Sequence, residues 1–231
     1  GDDMNKRKEY EDFLKGKRVC LVGPAPTVKD IEGNLYNSKQ EQIDKIESYD
    51  IIVRLNIALP MPDSLAEYVG SRTEIIYNCM SPDPESGGYI NIDFLKDKIN
   101  WIVASLPAKP PFTQDIIGFY QRNQNTINFT TVELEYFNEL EQKMQTRPNT
   151  GVIAILDMLA CDIKELFITG ITFFRGGYVK EYRGYNEQEV LSRMAVHKNH
   201  RQEPQLAYMK EILSSDPRVK MDKYLQDIIN E

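Results

Sequence analysis

The chain is poor in the residues that staple a fold or ligate metals: 231 residues hold three cysteines and two histidines. Cys20, Cys79 and Cys161 are too few and too scattered for a disulfide framework or a CxxC metal site, so reduced thiols packed in a core are expected. No apolar run approaches the roughly 20 residues that cross a bilayer. Residues Gly1 to Lys8 lack the apolar stretch of an export signal, and a cytoplasmic location is expected. The glycine at position 1 leaves open a longer natural N-terminus. Positive charge is also in short supply. With 28 Lys+Arg against 35 Asp+Glu the net charge is −7, which argues against a nucleic-acid surface while allowing a locally electropositive nucleotide pocket. No G-x-G-x-x-G and no Walker loop occurs, so dinucleotide and ATP readings lose their main support. No D-x-D follows an apolar run, and no metal cofactor is expected. Internal repeats and low-complexity segments are absent as well.

What is present is an ordinary soluble composition, 41% hydrophobic and 27% charged, on a length that suits one large α/β domain over residues 1–231. Short β-rich runs predict strands at Val19–Val22, Ile51–Leu55, Glu74–Tyr77, Trp101–Ala104, Ile127–Phe129 and Leu166–Thr169. Helical patterns lie between them: Gln40–Glu47, Leu65–Val69, Ile92–Lys98, Thr113–Arg122 and Val132–Met144. The alternation points to a single, mainly parallel, doubly wound sheet with flanking helices. Residues 151–160, nearly uncharged, read as a helix buried on most faces. Ser81–Gly88 reads as a loop. So does the glycine- and tyrosine-rich stretch from Phe173 to Tyr185, within a lid or acceptor loop expected over 171–199.

Three segments carry the candidate chemistry. Gly23-Pro24-Ala25 directly follows the first strand, where glycine allows close backbone approach to a ligand and proline fixes the turn, although a plain strand-to-loop turn uses the same residues. In Tyr49-Asp-Ile-Ile-Val-Arg54-Leu-Asn56 the strand carries two polar groups to its carboxyl end. Arg54 is suited to tie a loop to a carboxylate or carbonyl, and Asn56 can bond a ribose hydroxyl or phosphate oxygen or equally cap a turn. Asn149-Thr150-Gly151 opens the buried helix, with Thr150 expected as the N-cap and Gly151 exposing the first N–H groups to an anion; an ordinary cap is the alternative. Finally, His197 and His200 stand three apart, with Glu203 three beyond His200. A histidine beside a carboxylate suits a general base, but two exposed histidines at a helix start fit the same spacing, and two His with one Glu are a partial metal set.

Taken together, Arg18–Gly23, Tyr49–Asn56 and Val69-Gly-Ser-Arg-Thr73 resemble the large sialylmotif of the sialyltransferases, particularly glycosyltransferase family 29. Pro148–Val152 with Leu159-Ala-Cys-Asp162 and Leu166–Gly170 resembles the small motif, and His197–Glu203 the very small one. The resemblance implies a Rossmann-like sheet of the GT-A-variant type. It also implies inverting, metal-independent transfer of sialic acid or a related nonulosonate from a CMP-activated donor to a glycan hydroxyl. It assigns the nucleotide to Gly23, Pro24, Ala25 and Asn56, and the donor sugar and its carboxylate to Asn149, Thr150 and Gly151. Gly170 and Thr172 join the donor site, and His200, with His197 second, is the base beside Glu203. Pro24 stands where the family usually has Asn, Asn149 where Ser is usual, and the His/Glu spacing departs from the family's. Cys20 and Cys161 lie near two cysteines that the family joins, and both are expected reduced. The implied partners are a nucleotide-sugar donor and a glycan acceptor, with a homo-oligomer left open. Two other functions fit the same residues: a glycosyltransferase for another nucleotide sugar, and a nucleotide-binding module without catalysis.

Overall fold

The computed structural model describes residues 6–25, 28–83, 87–173 and 202–231. The loop expected over 171–199 therefore lies outside the described residues beyond Phe173, as do His197 and His200. In chain order the elements are α1 (Arg7–Leu14), β1 (Arg18–Val22), α2 (Lys39–Glu47), β2 (Ile51–Leu55), α3 (Asp63–Val69), β3 (Ile75–Asn78), α4 (Ile92–Leu95) and β4 (Trp101–Ala104). There follow α5 (Thr113–Asn123), β5 (Asn128–Thr131), α6 (Leu134–Met144), α7 (Thr150–Leu159), β6 (Glu165–Thr169), α8 (Gln202–Ser215), β7 (Val219–Met221) and α9 (Lys223–Ile229).

The seven described strands form one sheet in the order β5-β4-β3-β2-β1-β6-β7, with every neighbouring pair parallel. The α/β fold read from the sequence is the fold observed, and the sheet is parallel throughout its described extent. A parallel sheet needs cover on both faces, and the strands show it by alternation. On β1 and β2, Val19, Leu21, Ile51, Val53 and Leu55 enter the larger core with α1 and α7. Cys20, Val22 and Ile52 enter a smaller core with Ile46 of α2 and Leu65 and Val69 of α3. Cys20 and Cys161 thus belong to different cores, and all three cysteines are free thiols.

Four elements escaped the sequence reading, one of them the fourteen-residue helix α8. Strand β7 spans three residues, Val219-Lys-Met221, too few to show a period, and gains its status by pairing with Leu166–Ile168 of β6. Helix α1 buries only Arg7, Tyr10 and Leu14, a narrow stripe within a charged octet. Helix α9 is seven residues long. The helix expected over 92–98 is a single turn, capped by Asn91 accepting from the Phe94 N–H.

Helix α7 is buried from Val152 through Met158, as its lack of charge predicted, and the one exception is instructive. Asp157, 1% exposed, pairs with Arg7 of α1 through both carboxylate oxygens, at 2.8 and 2.9 Å. The Tyr77 hydroxyl donates to it at 2.6 Å, and Tyr10 and Tyr77 share a 2.7 Å hydrogen bond. Burial works against the Arg7 charge, yet the adjoining carboxylate outweighs it and holds the guanidinium above its ordinary range. Burial and the same carboxylate push the Tyr77 hydroxyl upward, so it stays a donor. This cluster locks α1 and α7 to β3.

Removing one partner of a buried ion pair leaves the other charge uncompensated and costs about 3–5 kcal/mol. Asp157→Ala should lower urea stability by that amount. Burial pushes the Cys161 thiol up to about 12 and raises Cys20 further, whereas Cys79 is half-buried. Alkylation of the native protein near neutral pH should therefore label Cys79 first, with Cys20 and Cys161 reacting only after denaturation, as peptide mass mapping would show.

Candidate functional site

Parallel strands deliver all their carboxyl ends to one edge, and the strand order fixes where a crevice opens there. From β1 the chain winds outward through β2, β3, β4 and β5, then returns to place β6 on the other side of β1. The reversal between β1 and β6 is a topological switch point, the usual ligand position in open α/β sheets.

At that point the two strand ends are in backbone contact. Gly23 N–H donates to the Thr169 carbonyl at 2.8 Å and Ala25 N–H to the Gly170 carbonyl at 3.1 Å. A Cβ on Gly23 would lie 2.3 Å from the Gly170 oxygen, so its missing side chain serves loop-to-loop packing. Gly170 has φ +76°, and a Cβ there would lie 2.7 Å from both the Gly23 and Ala25 oxygens. With Pro24 lacking an N–H, residues 23 to 25 have no amide left for an anion. Behind them, Asp222 at the N-terminus of α9 accepts from the Thr169 hydroxyl at 2.7 Å, the Gly170 N–H at 3.1 Å and the Leu225 N–H at 2.8 Å. Gln42 of α2 donates to the same Thr169 hydroxyl at 2.9 Å.

Asn56, directly after β2, takes φ 53°, a left-handed conformation that asparagine tolerates better than most residues. Its backbone N–H reaches the Tyr77 carbonyl and its Oδ1 accepts from the Cys79 N–H at 3.3 Å. The amide oxygen is thus a turn fastener, and the NH₂ end is the part that can address a ligand.

The third component is the start of α7. The cap is Asn149 rather than the expected Thr150. Asn149 is extended, with φ −74° and ψ 168°, and its Oδ1 accepts from the Val152 N–H at 2.9 Å. Thr150 is the first helical residue, and its hydroxyl lies 3.4 Å from that of Ser105, which follows β4. A Cβ on Gly151 would meet Leu55 at 3.4 Å and Ile171 at 3.5 Å, and Ile171 also abuts Gly23. The helix terminus therefore stands over the ends of β1, β2 and β6. The first amides of a helix lack intrahelical partners and carry the positive end of its dipole, so this terminus suits an anionic group. Asn149 N–H in turn donates to the buried Gln205 side chain at 2.9 Å. That bond sets the first turns of α8, where Glu203 is exposed, against the start of α7.

The structure thus brings together Gly23, Pro24, Ala25, Gly151 with its neighbours Asn149 and Thr150, and Gly170, followed by half-buried Thr172, while Asn56, next to Leu55, turns its hydrogen bonds to Tyr77 and Cys79. Ser105, Thr169, Asp222 and Gln42 support the same edge and were not singled out from sequence. For Ser105 and Thr169 the signal was available: each is a polar residue at the end of an apolar strand, as Asn56 is.

Arg54 ties the loop between α3 and β3 to β2. Wholly buried, it donates from Nε to the Thr73 hydroxyl at 2.9 Å and from Nη2 to the carbonyls of Val69 and Arg72 at 3.1 Å each. The two stretches compared with the large sialylmotif, 49–56 and 69–73, are thereby joined through one side chain. Beside Arg54 lies a cavity of about 220 Å³, lined by Val69, Leu65, Ala58 and three prolines among others.

By sequence the chain matches no protein-family model and no curated protein. By structure it is similar to the sialyltransferase CstII from Campylobacter jejuni in complex with cytidine-5'-monophosphate, with a TM-score of 0.58 at 15% identity over 93% of this chain and 84% of that one. The same enzyme in complex with CMP-3FNeuAc gives 0.56 at 15% identity, over 92% and 85%. An alpha-2,3-sialyltransferase from Campylobacter jejuni in its apo form gives 0.54 at 15%, over 91% and 77%. The chain therefore has a sialyltransferase-like fold, and the likeness does not single out glycosyltransferase family 29. Among the described residues no helix is long and apolar enough to cross a membrane.

The glycines should separate packing from access. Gly170→Ala places a side chain at positive φ against two carbonyls and should cost about 1–3 kcal/mol or more, and Gly23→Ala should be at least as damaging. Gly151→Ala meets only ordinary contacts within a helix and should be neutral or stabilising by up to about 1 kcal/mol. Urea midpoints of the three variants check the order.

Proposed function

We propose that this chain is an inverting, metal-independent glycosyltransferase that moves sialic acid or a related nonulosonate from a CMP-activated donor to a glycan hydroxyl. The observation that carries the reading is the meeting of the α7 terminus with the ends of β1, β2 and β6, on a fold shared with sialyltransferases described in complex with cytidine-5'-monophosphate or CMP-3FNeuAc.

The division of labour follows from the donors and acceptors on that edge. The Gly23–Ala25 turn, with its N–H groups already engaged, suits the hydroxyls and amine of a cytidine, which need acceptors. The Asn56 amide and the first amides and hydroxyl of Thr150 and Gly151 suit the phosphate and sugar carboxylate, which need donors. Gly170 and Thr172 close the side formed by β6. In the reaction the acceptor oxygen bonds to the anomeric carbon as the bond from that carbon to the phosphate oxygen breaks. CMP leaves with that electron pair, and the base takes the acceptor's proton. His200 is proposed as that base, oriented by Glu203, with His197 second; the exposure of Glu203 beside the α7 start is compatible with that role.

CMP should raise the melting temperature more than UDP or GDP, by the equivalent of about 2.7 kcal/mol at a hundredfold excess over Kd, and EDTA should leave the rise unchanged. Equal effects of the three nucleotides, or a strict need for Mg²⁺ or Mn²⁺, would overturn the donor assignment. In a transfer assay His200→Ala should reduce kcat by ~10²- to 10⁴-fold with CMP affinity nearly intact. Full activity in the His197→Ala, His200→Ala double variant would remove both histidines from the mechanism.

A further inference from the structure

A single peptide unit, Thr169–Gly170, stands between Asp222 and the turn assigned to the nucleotide. Its N–H donates to Asp222 Oδ2 at 3.1 Å, and its carbonyl accepts from the Gly23 N–H at 2.8 Å. The N–H and C=O of a trans peptide point in opposite directions within one plane, so a bond at each end fixes the rotation of the unit. A carboxylate on the N–H also polarises the carbonyl and makes it a stronger acceptor. The next carbonyl, that of Gly170, takes the Ala25 N–H at 3.1 Å. The same Oδ2 accepts from the Thr169 hydroxyl at 2.7 Å, and the Asp222 N–H donates to the Ile168 carbonyl at 3.1 Å. Asp222 thus grips three successive residues at the end of β6.

We propose that Asp222 is a positioning residue for the donor: through the Thr169–Gly170 peptide it sets the orientation of the Gly23–Ala25 turn, and the role rests on the donor reading given above. The two carboxylate oxygens divide the work. Oδ1 caps α9 by accepting from the Leu225 N–H at 2.8 Å, a duty that serine performs about as well as aspartate. Oδ2 is what a cap alone does not require, and it is the oxygen turned to the β6 end. The carboxylate is 5% exposed, so water does not stand in for it when it is removed. Asp222 acts through the peptide rather than by touching the ligand. Because the turn is assigned to the nucleotide and not to the reacting bond, loosening it weakens ground state and transition state alike, which raises the donor KM and spares kcat.

The test compares Asp222→Ser, which keeps a cap for α9, with Asp222→Ala, which removes cap and grip together. Calorimetry with CMP should show Kd raised about tenfold in both, the size expected when a bond to a charged acceptor is lost, although Asp222→Ser should melt above Asp222→Ala. In a transfer assay the donor KM should rise by a similar factor, with kcat within about twofold of wild type. A CMP affinity that follows the melting temperature, near wild type in Asp222→Ser and reduced only in Asp222→Ala, would make Asp222 a helix cap and nothing more. A fall in kcat at unchanged KM would also overturn the assignment. Amide hydrogen exchange without ligand gives a measurement independent of activity: Gly23 and Ala25 should exchange on the order of tenfold faster in Asp222→Ser, and unchanged rates would overturn the relay. The wild-type CMP titration keeps the two readings apart. A wild type that does not respond to CMP removes the donor assignment and this role with it, whereas a normal wild-type response with equal affinity in Asp222→Ser overturns only the role of Asp222.

Discussion

The backbone contact between Gly23 and Gly170 is the constraint on which the ligand edge depends. Strands β1 and β6 are neighbours in the sheet, and their ends remain in register one residue further, through Gly23 N–H to Thr169 and Ala25 N–H to Gly170. That extension is sterically open only to glycine at both positions. It consumes the amides of the β1 turn, so under the proposed function anion binding falls to the α7 terminus. Asp222 then holds the β6 end from behind, through bonds that also recruit Gln42 and the start of α9. Three elements distant in sequence thus fix one turn.

Two buried arginines show how the same side chain can be satisfied in different ways. Arg7 meets a carboxylate, Asp157, in a bidentate pair reinforced by Tyr77, and the result is a structural lock between α1, α7 and β3. Arg54 instead meets neutral oxygens, a hydroxyl and two carbonyls, which leave its charge unneutralised at contact distance. The first arrangement is complete in itself. The second leaves Nη1 buried without a hydrogen-bond partner among the described residues.

The position of α7 links these parts. Its apolar body is buried along most of its length, its middle is bolted to α1 by Asp157, and its capping residue is bolted to α8 by Gln205. A helix held at both points cannot drift from the strand ends, so its first amides are preorganised rather than mobile. That rigidity is the physical reason to assign it the charged part of a donor. The same bond to Gln205 brings the segment bearing Glu203 to this end of the molecule, which sequence spacing could not show.

Periodicity and turn chemistry sufficed for most of the sheet, because buried parallel strands are short apolar runs and each of the six expected ones is present. They also sufficed to nominate Gly23, Asn56 and the 149–151 helix start, since polar and small residues at strand ends and helix starts are legible locally. What only the tertiary structure decided are relations between distant residues. Strand β7 exists by pairing with β6, and the cap falls to Asn149 because its backbone is extended there while Thr150 turns to Ser105. The use of Gly23 for packing depends on Gly170, almost 150 residues away, and the unused Nη1 of Arg54 depends on where Thr73, Val69 and Arg72 place their oxygens. Local sequence sets which groups reach the end of a strand; long-range packing determines which of their hydrogen bonds are already taken, and it is the remainder that can meet a ligand.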